Sequence, residues 1–380
     1  MPPLSSFSRS RRLKSVGLLA GLVVLLGLLA PGGEAASRGR IRTYYIAADE
    51  VRWDYAPLGF NNITGRPFGE AENVFVQQGP DRIGKVYIKA LYREYTDASF
   101  THLKPRPPKW QHLGLLGPVI QAEVGDTIVV WFKNRTRFPM SLHPHGVFYD
   151  KRSEGAPYND GTSGAAKADD AVRPGGTHRY VWQVPPRSGP GPNDPSSVLW
   201  MYHSHVDESG DTNAGLVGPI IITARGKARR DGSPRDVDRQ FVTLFTVFDE
   251  NRSPYLDLNT RTFAGDPSSV DPEDEGFVES NLMHAINGYV YGNLPGLGMR
   301  TGERVRWYPF ALGTEVDLHT PHWHANTLLW NGNRVDLVET LPASLKMLDM
   351  EPDNPGTWLY HCHVNDHIDA GMAALYTVRS

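Results

Sequence analysis

The stretch Trp358-Leu359-Tyr360-His361-Cys362-His363-Val364-Asn365-Asp366-His367-Ile368-Asp369-Ala370-Gly371-Met372 decides how the rest of the chain is read. If its first residues form a strand, successive side chains alternate, so His361 and His363 face one side and Cys362 the other. One strand then serves two sites. On the cysteine side, a thiolate joined by two imidazoles and a weak axial thioether makes a blue-copper electron-transfer centre. His367 and Met372 follow at suitable spacing, and His319 supplies the second imidazole. Cys362 is the only cysteine, so it cannot form an internal disulfide. A lone cysteine is commonly a small buried hydrophobe, but the flanking histidines argue for a metal.

Working outward, the same pattern occurs earlier in the chain. Trp200, Tyr202, His203, His205 and Val206 recur as Trp358, Tyr360, His361, His363 and Val364, each 158 positions later. Ala214-Gly215 echoes Ala370-Gly371, and Gly125-Asp126 stands ahead of His143 as Gly302-Glu303 stands ahead of His319. An internal repeat of this length implies two related domains. The boundaries fall at residues 38–225 and 239–380, joined by a charged, turn-rich linker at 226–238. Short strands bounded by turn signals predict an all-β protein made of two Greek-key β-sandwiches.

Ten of the 14 histidines gather in four clusters: His143 and His145; His203 and His205; His319, His322 and His324; His361, His363 and His367. A His-x-His pair on a strand aims two imidazoles at one place. One pair alone suits copper, zinc, nickel or iron equally. Four pairs give eight imidazoles besides the blue-copper set, enough for three further coppers. Reduction of dioxygen without release of peroxide takes four electrons, and a fourth copper feeding a cluster of three can store them. Of the four others, His102, His112 and His178 fit no cluster and read as ordinary surface or core residues.

Composition agrees with this reading and removes others. A chain of 380 residues with 40% hydrophobic content can hold two or three domains, and 30 prolines with 38 glycines favour turns over long helices. A formal net charge of −3 leaves no basic excess for nucleic acid. At the start, Arg9, Arg11, Arg12 and Lys14 precede an apolar run from Val16 to Ala30, then Pro31, Ala35 and Ala36. This predicts a cleaved signal peptide over residues 1–36 and an exported protein, periplasmic or extracellular. Ser10-Arg11-Arg12-Leu13-Lys14 loosely fits a twin-arginine signal. An apolar run of about 15 residues falls short of the roughly 20 that span a bilayer, so no stable membrane anchor is expected. Asn62 and Asn134 open glycosylation sequons, and the acidic stretch from Asp266 to Glu275 reads as a solvated loop.

The four histidine clusters resemble the signature motifs of the multicopper oxidases, and the chain from about Tyr44 onward resembles ceruloplasmin-type domains. The resemblance implies two cupredoxin-like domains holding four coppers, one of type 1, one of type 2 and two of type 3. It implies one-electron substrate oxidation at the type 1 copper, coupled to reduction of dioxygen to water. Carried over by residue, His143 and His322 match type 2 ligands. His145, His203 and His363 match those of one type 3 copper, and His205, His324 and His361 those of the other. His319, Cys362, His367 and Met372 match the type 1 set. Their counterparts in the first domain are Met140, Ser204, Asp211 and Leu216, so that domain carries no blue copper. Similar two-domain oxidases are homotrimers with trinuclear centres between subunits, and a homotrimer is expected here.

The same resemblance names candidates for protons and substrate. Asp160 matches a carboxylate that relays protons after the first His-x-His-Gly motif, although Asp160-Gly161 is also an ordinary turn sequence. Glu279-Ser280-Asn281-Leu282-Met283-His284, Asp366 before His367, and Glu315 before Val316-Asp317-Leu318-His319 resemble the ferroxidase iron site, with Glu315 donated by a neighbouring subunit. Carboxylates and an imidazole suit iron, which favours Fe(II) as reductant. A laccase-like oxidation of phenols or aromatic amines is the alternative, and Glu279 and Asp366 are otherwise solvated charges. A copper nitrite reductase needs fewer histidines and lacks one on each side of the type 1 cysteine. A copper-storage module would not need a complete ligand set.

Overall fold

The computed structural model describes residues 39–380. The signal-peptide reading of residues 1–36 lies outside them. The chain is mostly strand, with five short α-helices of at most eight residues among the described residues. None of the helices there is long and apolar enough to cross a membrane.

Two pairs of sheets follow one another along the chain. In the first half, Val86–Tyr95, Ile41–Asp54, Thr127–Asn134 and Thr177–Gln183 make one four-stranded sheet, and Ile120–Glu123, Val217–Thr223, Ser197–His203 and His143–Pro144 the other. In the second half, Leu282–Ile286, Arg239–Asp249 and Val305–Ala311 begin a six-stranded sheet. Gly298–Arg300, Ala373–Arg379, Gly356–Cys362 and Pro321–Trp323 make its four-stranded partner. The pairings repeat: Ile41–Asp54 runs parallel to Thr127–Asn134 as Arg239–Asp249 runs parallel to Val305–Ala311. The register repeats as well, His143 opposite His203 and His322 opposite His361.

Apolar residues between paired sheets account for this arrangement. Val217–Thr223 is buried along its whole length, as expected of a central strand covered on both faces. Trp182, Tyr180 and Ile128 fill the first sandwich, and Trp307, Trp323, Tyr360 and Met350 fill the second. Trp307 is fully buried, and truncation of such a ring to alanine costs about 3–5 kcal/mol.

A third core draws on both halves, with Tyr87 and Met201 packed among Val242, Phe248 and Tyr308. The helix Leu256–Phe263 belongs by sequence to the second half but holds the first. Asn259 accepts from the Ile88 amide at 2.7 Å and donates back to its carbonyl at 3.2 Å. His112, one of the unclustered histidines, is fully buried and accepts from the Val242 amide at 3.0 Å. Between the halves, Lys89 donates to the carboxylate of Glu250, both side chains shut off from water. Burial favours the neutral form of each, lowering the pKa of Lys89 and raising that of Glu250. Asn134 is also fully buried with its amide spent on the carbonyls of Phe138 and Val172, so its sequon cannot accept a glycan in the folded chain. In the acidic stretch, Asp274 caps the helix Glu275–Ser280 by accepting from the Phe277 amide.

Candidate metal centres

The strand Gly356–Cys362 delivers its side chains to two sides as alternation requires. Cys362 is buried in the second core with Met372, both with no solvent exposure. Its Sγ lies 3.8 Å from His319 Nδ1 and 3.6 Å from His367 Nδ1, and the two nitrogens are 3.0 Å apart. All three residues are buried and their donor atoms lie within 4.8 Å of one another. The loop back to Met372 is pinned where the Cys362 amide donates to the Met372 carbonyl at 3.0 Å. Burial pushes the Cys362 thiol up, but the two imidazoles and the amides of Thr320 and Val364 outweigh it and bring it down to about 6. A thiol there readily becomes thiolate, the form that binds metal.

On the other side, His361 meets His322 and His324, with His361 Nε2 at 3.2 Å from His322 Nδ1 and 3.1 Å from His324 Nε2. The His363 ring is 5.3 Å from that of His322 and is exposed. The first half builds the matching quartet. His145 Nε2 is 3.0 Å from His203 Nε2, and the His143 and His205 rings are 5.1 Å apart. Among the described residues, every ring contact between these eight histidines joins members of one quartet. Each quartet is also partly open to solvent.

Local hydrogen bonds choose the tautomers. His203 Nδ1–H donates to the Ser204 carbonyl at 3.0 Å and His361 Nδ1–H to the Cys362 carbonyl at 2.6 Å. His143 Nδ1–H donates to the Glu154 carbonyl at 2.6 Å. In each ring Nε2 is left as the free lone pair, the usual way a protein orients a ligating imidazole. Burial first, then neighbouring imidazoles, lower the pKa of His145 to about 3, and burial lowers His203 and His361 to about 4. They are neutral at pH 7, as metal binding requires. Gly146 closes the first His-x-His-Gly motif at φ +74°, and a Cβ there would strike the Trp200 ring at 2.1 Å.

The positions matching the type 1 set in the first half hold no thiol. Ser204 Oγ donates to Asp211 Oδ2 at 2.5 Å and accepts from the Ser141 amide at 3.1 Å, with Met140 Sδ at 3.9 Å and Leu216 fully buried. Burial raises the Asp211 carboxyl to about 6.

The remaining candidates are differently placed. His284 is buried, its ring 5.3 Å from that of His367, and its Nδ1–H donates to the Leu282 carbonyl at 3.0 Å. Glu279, Glu315 and Asp366 are exposed. Asp160 pairs with Lys167 at 2.9 Å and Lys151 at 3.2 Å and accepts from Thr162, which hold it well below the usual carboxylate range. Two residues emerge only from the fold. Glu208 reaches His205 Nε2 at 3.3 Å, and Asp317 Oδ1 lies 3.2 Å from His319 Nε2. The short separations His205 to Glu208 and Asp317 to His319 were visible signals, but a strand or turn reading does not say which carboxylates point inward.

Profiles described as multicopper oxidase match residues 113–227 and 271–380. The chain is 46% identical to ferroxidase HEPHL1 of Homo sapiens over 362 residues, covering 94% of this chain and 31% of that protein. It is 47% identical to hephaestin of Homo sapiens, covering 90% of this chain and 30% of that one. It is 47% identical to ceruloplasmin of Rattus norvegicus, covering 89% and 32%. The chain thus spans about a third of the length of these relatives. A solved structure titled blue copper oxidase from Nitrosomonas europaea shares the fold, with a TM-score of 0.53 at 16% identity, covering 90% of this chain and 86% of that one.

Proposed function

This chain belongs to the multicopper oxidase family, and on that premise we propose that it is a ferroxidase, oxidising Fe(II) and passing the electrons to dioxygen. The donor chemistry fits copper: one buried thiol that deprotonates readily, two convergent imidazoles and a buried methionine for a type 1 site, and eight imidazoles for a trinuclear cluster. His319, Cys362, His367 and Met372 would hold the former, and His143, His145, His203, His205, His322, His324, His361 and His363 the latter. Four coppers bound there would supply one-electron transfer and the four-electron reduction of dioxygen to water.

The observation that carries Fe(II) as substrate is His284. Its ring stands beside that of His367, it keeps Nε2 free, and it ends the Glu279–His284 segment that resembles an iron site. The relatives named ferroxidase, hephaestin and ceruloplasmin support the same reading. Glu279 and Asp366, both exposed, would attract Fe(II) and favour release of electrons by stabilising Fe(III).

We further read residues 38–225 and 239–380 as the two domains, and the chain as an exported homotrimer. Two partly open quartets, each lacking the other half of a trinuclear ligand set, support assembly between subunits. An active, copper-loaded monomer in sedimentation would refute it. For the substrate, Fe(II) added under air to copper-loaded protein should bleach a thiolate-to-copper band that recovers as oxygen is consumed. Glu279→Ala should slow the bleaching. Rapid turnover of phenols with none of Fe(II), unaltered by Glu279→Ala, would reassign the enzyme as laccase-like.

A further inference from the structure

The two imidazoles beside Cys362 are not equivalent. His319 turns its far nitrogen inward: Nε2 lies 3.2 Å from Asp317 Oδ1, and both side chains are almost wholly buried. Asp317 is held from several sides. Its Oδ1 also accepts from the Val247 amide at 2.7 Å and the Thr246 hydroxyl at 3.2 Å, and its Oδ2 accepts from the Thr314 amide at 2.8 Å. The backbone makes room for it at Gly313, φ +120°, where a Cβ would fall 1.9 Å from Asp317 Oδ2. A carboxylate fixed by two backbone amides cannot swing away, so it acts as a rigid acceptor for the His319 Nε2–H. That bond leaves Nδ1 as the lone pair facing Cys362. His367, by contrast, has the His284 ring at its side and Asp366 next to it in sequence.

We propose that Asp317 is a positioning residue of the type 1 site, fixing the tautomer and orientation of His319 through the carboxylate that the Val247 and Thr314 amides hold in place. The inference rests on the copper-binding reading given above. Asp317 contacts no substrate; it acts through His319. Removing an outer partner of a metal-bound histidine typically weakens metal binding about 10- to 100-fold.

The test uses the copper-loaded full chain and its Asp317→Ala and Asp317→Asn variants, with the trinuclear signals as the control for folding. Asp317→Ala should lose type 1 copper about 10- to 100-fold more readily and alter its electron paramagnetic resonance spectrum. In the Cu(I) form, the His319 Nε2 proton should exchange slowly in the wild type and fast in the variant. Asp317→Asn preserves shape and can still accept from Nε2–H while losing the negative charge. Its blue band should persist with a higher reduction potential, and KM for Fe(II) should be unchanged. Should Asp317→Ala not fold, the asparagine variant decides alone. Folded variants with wild-type spectrum, potential, proton exchange and copper retention would overturn the proposal. A wild type that shows no blue band when copper-replete would instead overturn the copper reading beneath it.

Discussion

The pockets around Ser204 and Cys362 occupy the same place in their sandwiches, one strand before a short helix and a glycine at positive φ, Gly215 at 112° and Gly371 at 108°. One holds a hydroxyl, a carboxyl, a thioether and an aliphatic chain; the other holds a thiol, two imidazoles and a thioether. The backbone alone therefore does not make a metal site. In the first pocket Ser204 and Asp211 satisfy each other, and no soft anionic donor remains. The outward histidines nevertheless match in both halves, down to the Nδ1–H bond to the next carbonyl at His203 and His361. The difference teaches that the two faces of the strand change independently.

The largest effect should come from removing what separates the pockets. Cys362→Ser makes the second resemble the first, and is expected to abolish the thiolate-to-copper band and Fe(II)-driven oxygen uptake. Persistent uptake would mean that electrons reach the histidine clusters by another route. The reverse exchange, Met140→His, Ser204→Cys, Asp211→His and Leu216→Met together, is expected to create a second blue signal. Failure to bind copper in a folded variant would show that the two backbones differ more than their pairings suggest.

A smaller effect concerns Asp211. Its folded pKa of about 6 lies above the ordinary value of 3.8, so folding takes up a proton there. Its favourable contribution is complete below about pH 4 and is lost as pH rises through 6, an effect on the order of 3 kcal/mol. Asp211→Asn should therefore raise the Tm of metal-free protein above pH 6 and lose that advantage near pH 4. A gain independent of pH would disprove the assignment. The smallest effect is expected at Asp160. Asp160→Asn should slow reoxidation of the reduced coppers several-fold while leaving the blue band intact. Because two lysines hold this carboxyl in its charged form, unchanged reoxidation would leave it as a structural ion pair.

How much of this was legible in the sequence depends on how far each residue acts from its neighbours in the chain. Alternation at His361, Cys362 and His363 announces two faces because a strand has a period of two, and the grouping of His319 with Cys362 and His367 follows from the donor set a blue-copper centre needs. Asp317 sits within the motif ahead of His319, but nothing in that motif announces its role, which comes from the Val247 and Thr314 amides that hold it. The Lys89 and Glu250 pair is invisible for a similar reason, being separated by 161 residues and joined only where the halves pack. Burial of Asn134 likewise overrides a sequon that reads as surface.

The strand Gly356–Cys362 is paired on both edges, His361 opposite His322 on one side and opposite Ala373 on the other. A slip of one residue would turn Cys362 toward the histidine quartet and His361 and His363 into the apolar core. In genetic terms the segment behaves like a reading frame: single-residue insertions or deletions between Gly356 and His363 should be far less tolerated than substitutions at the same positions, since one such event dismantles two sites at once.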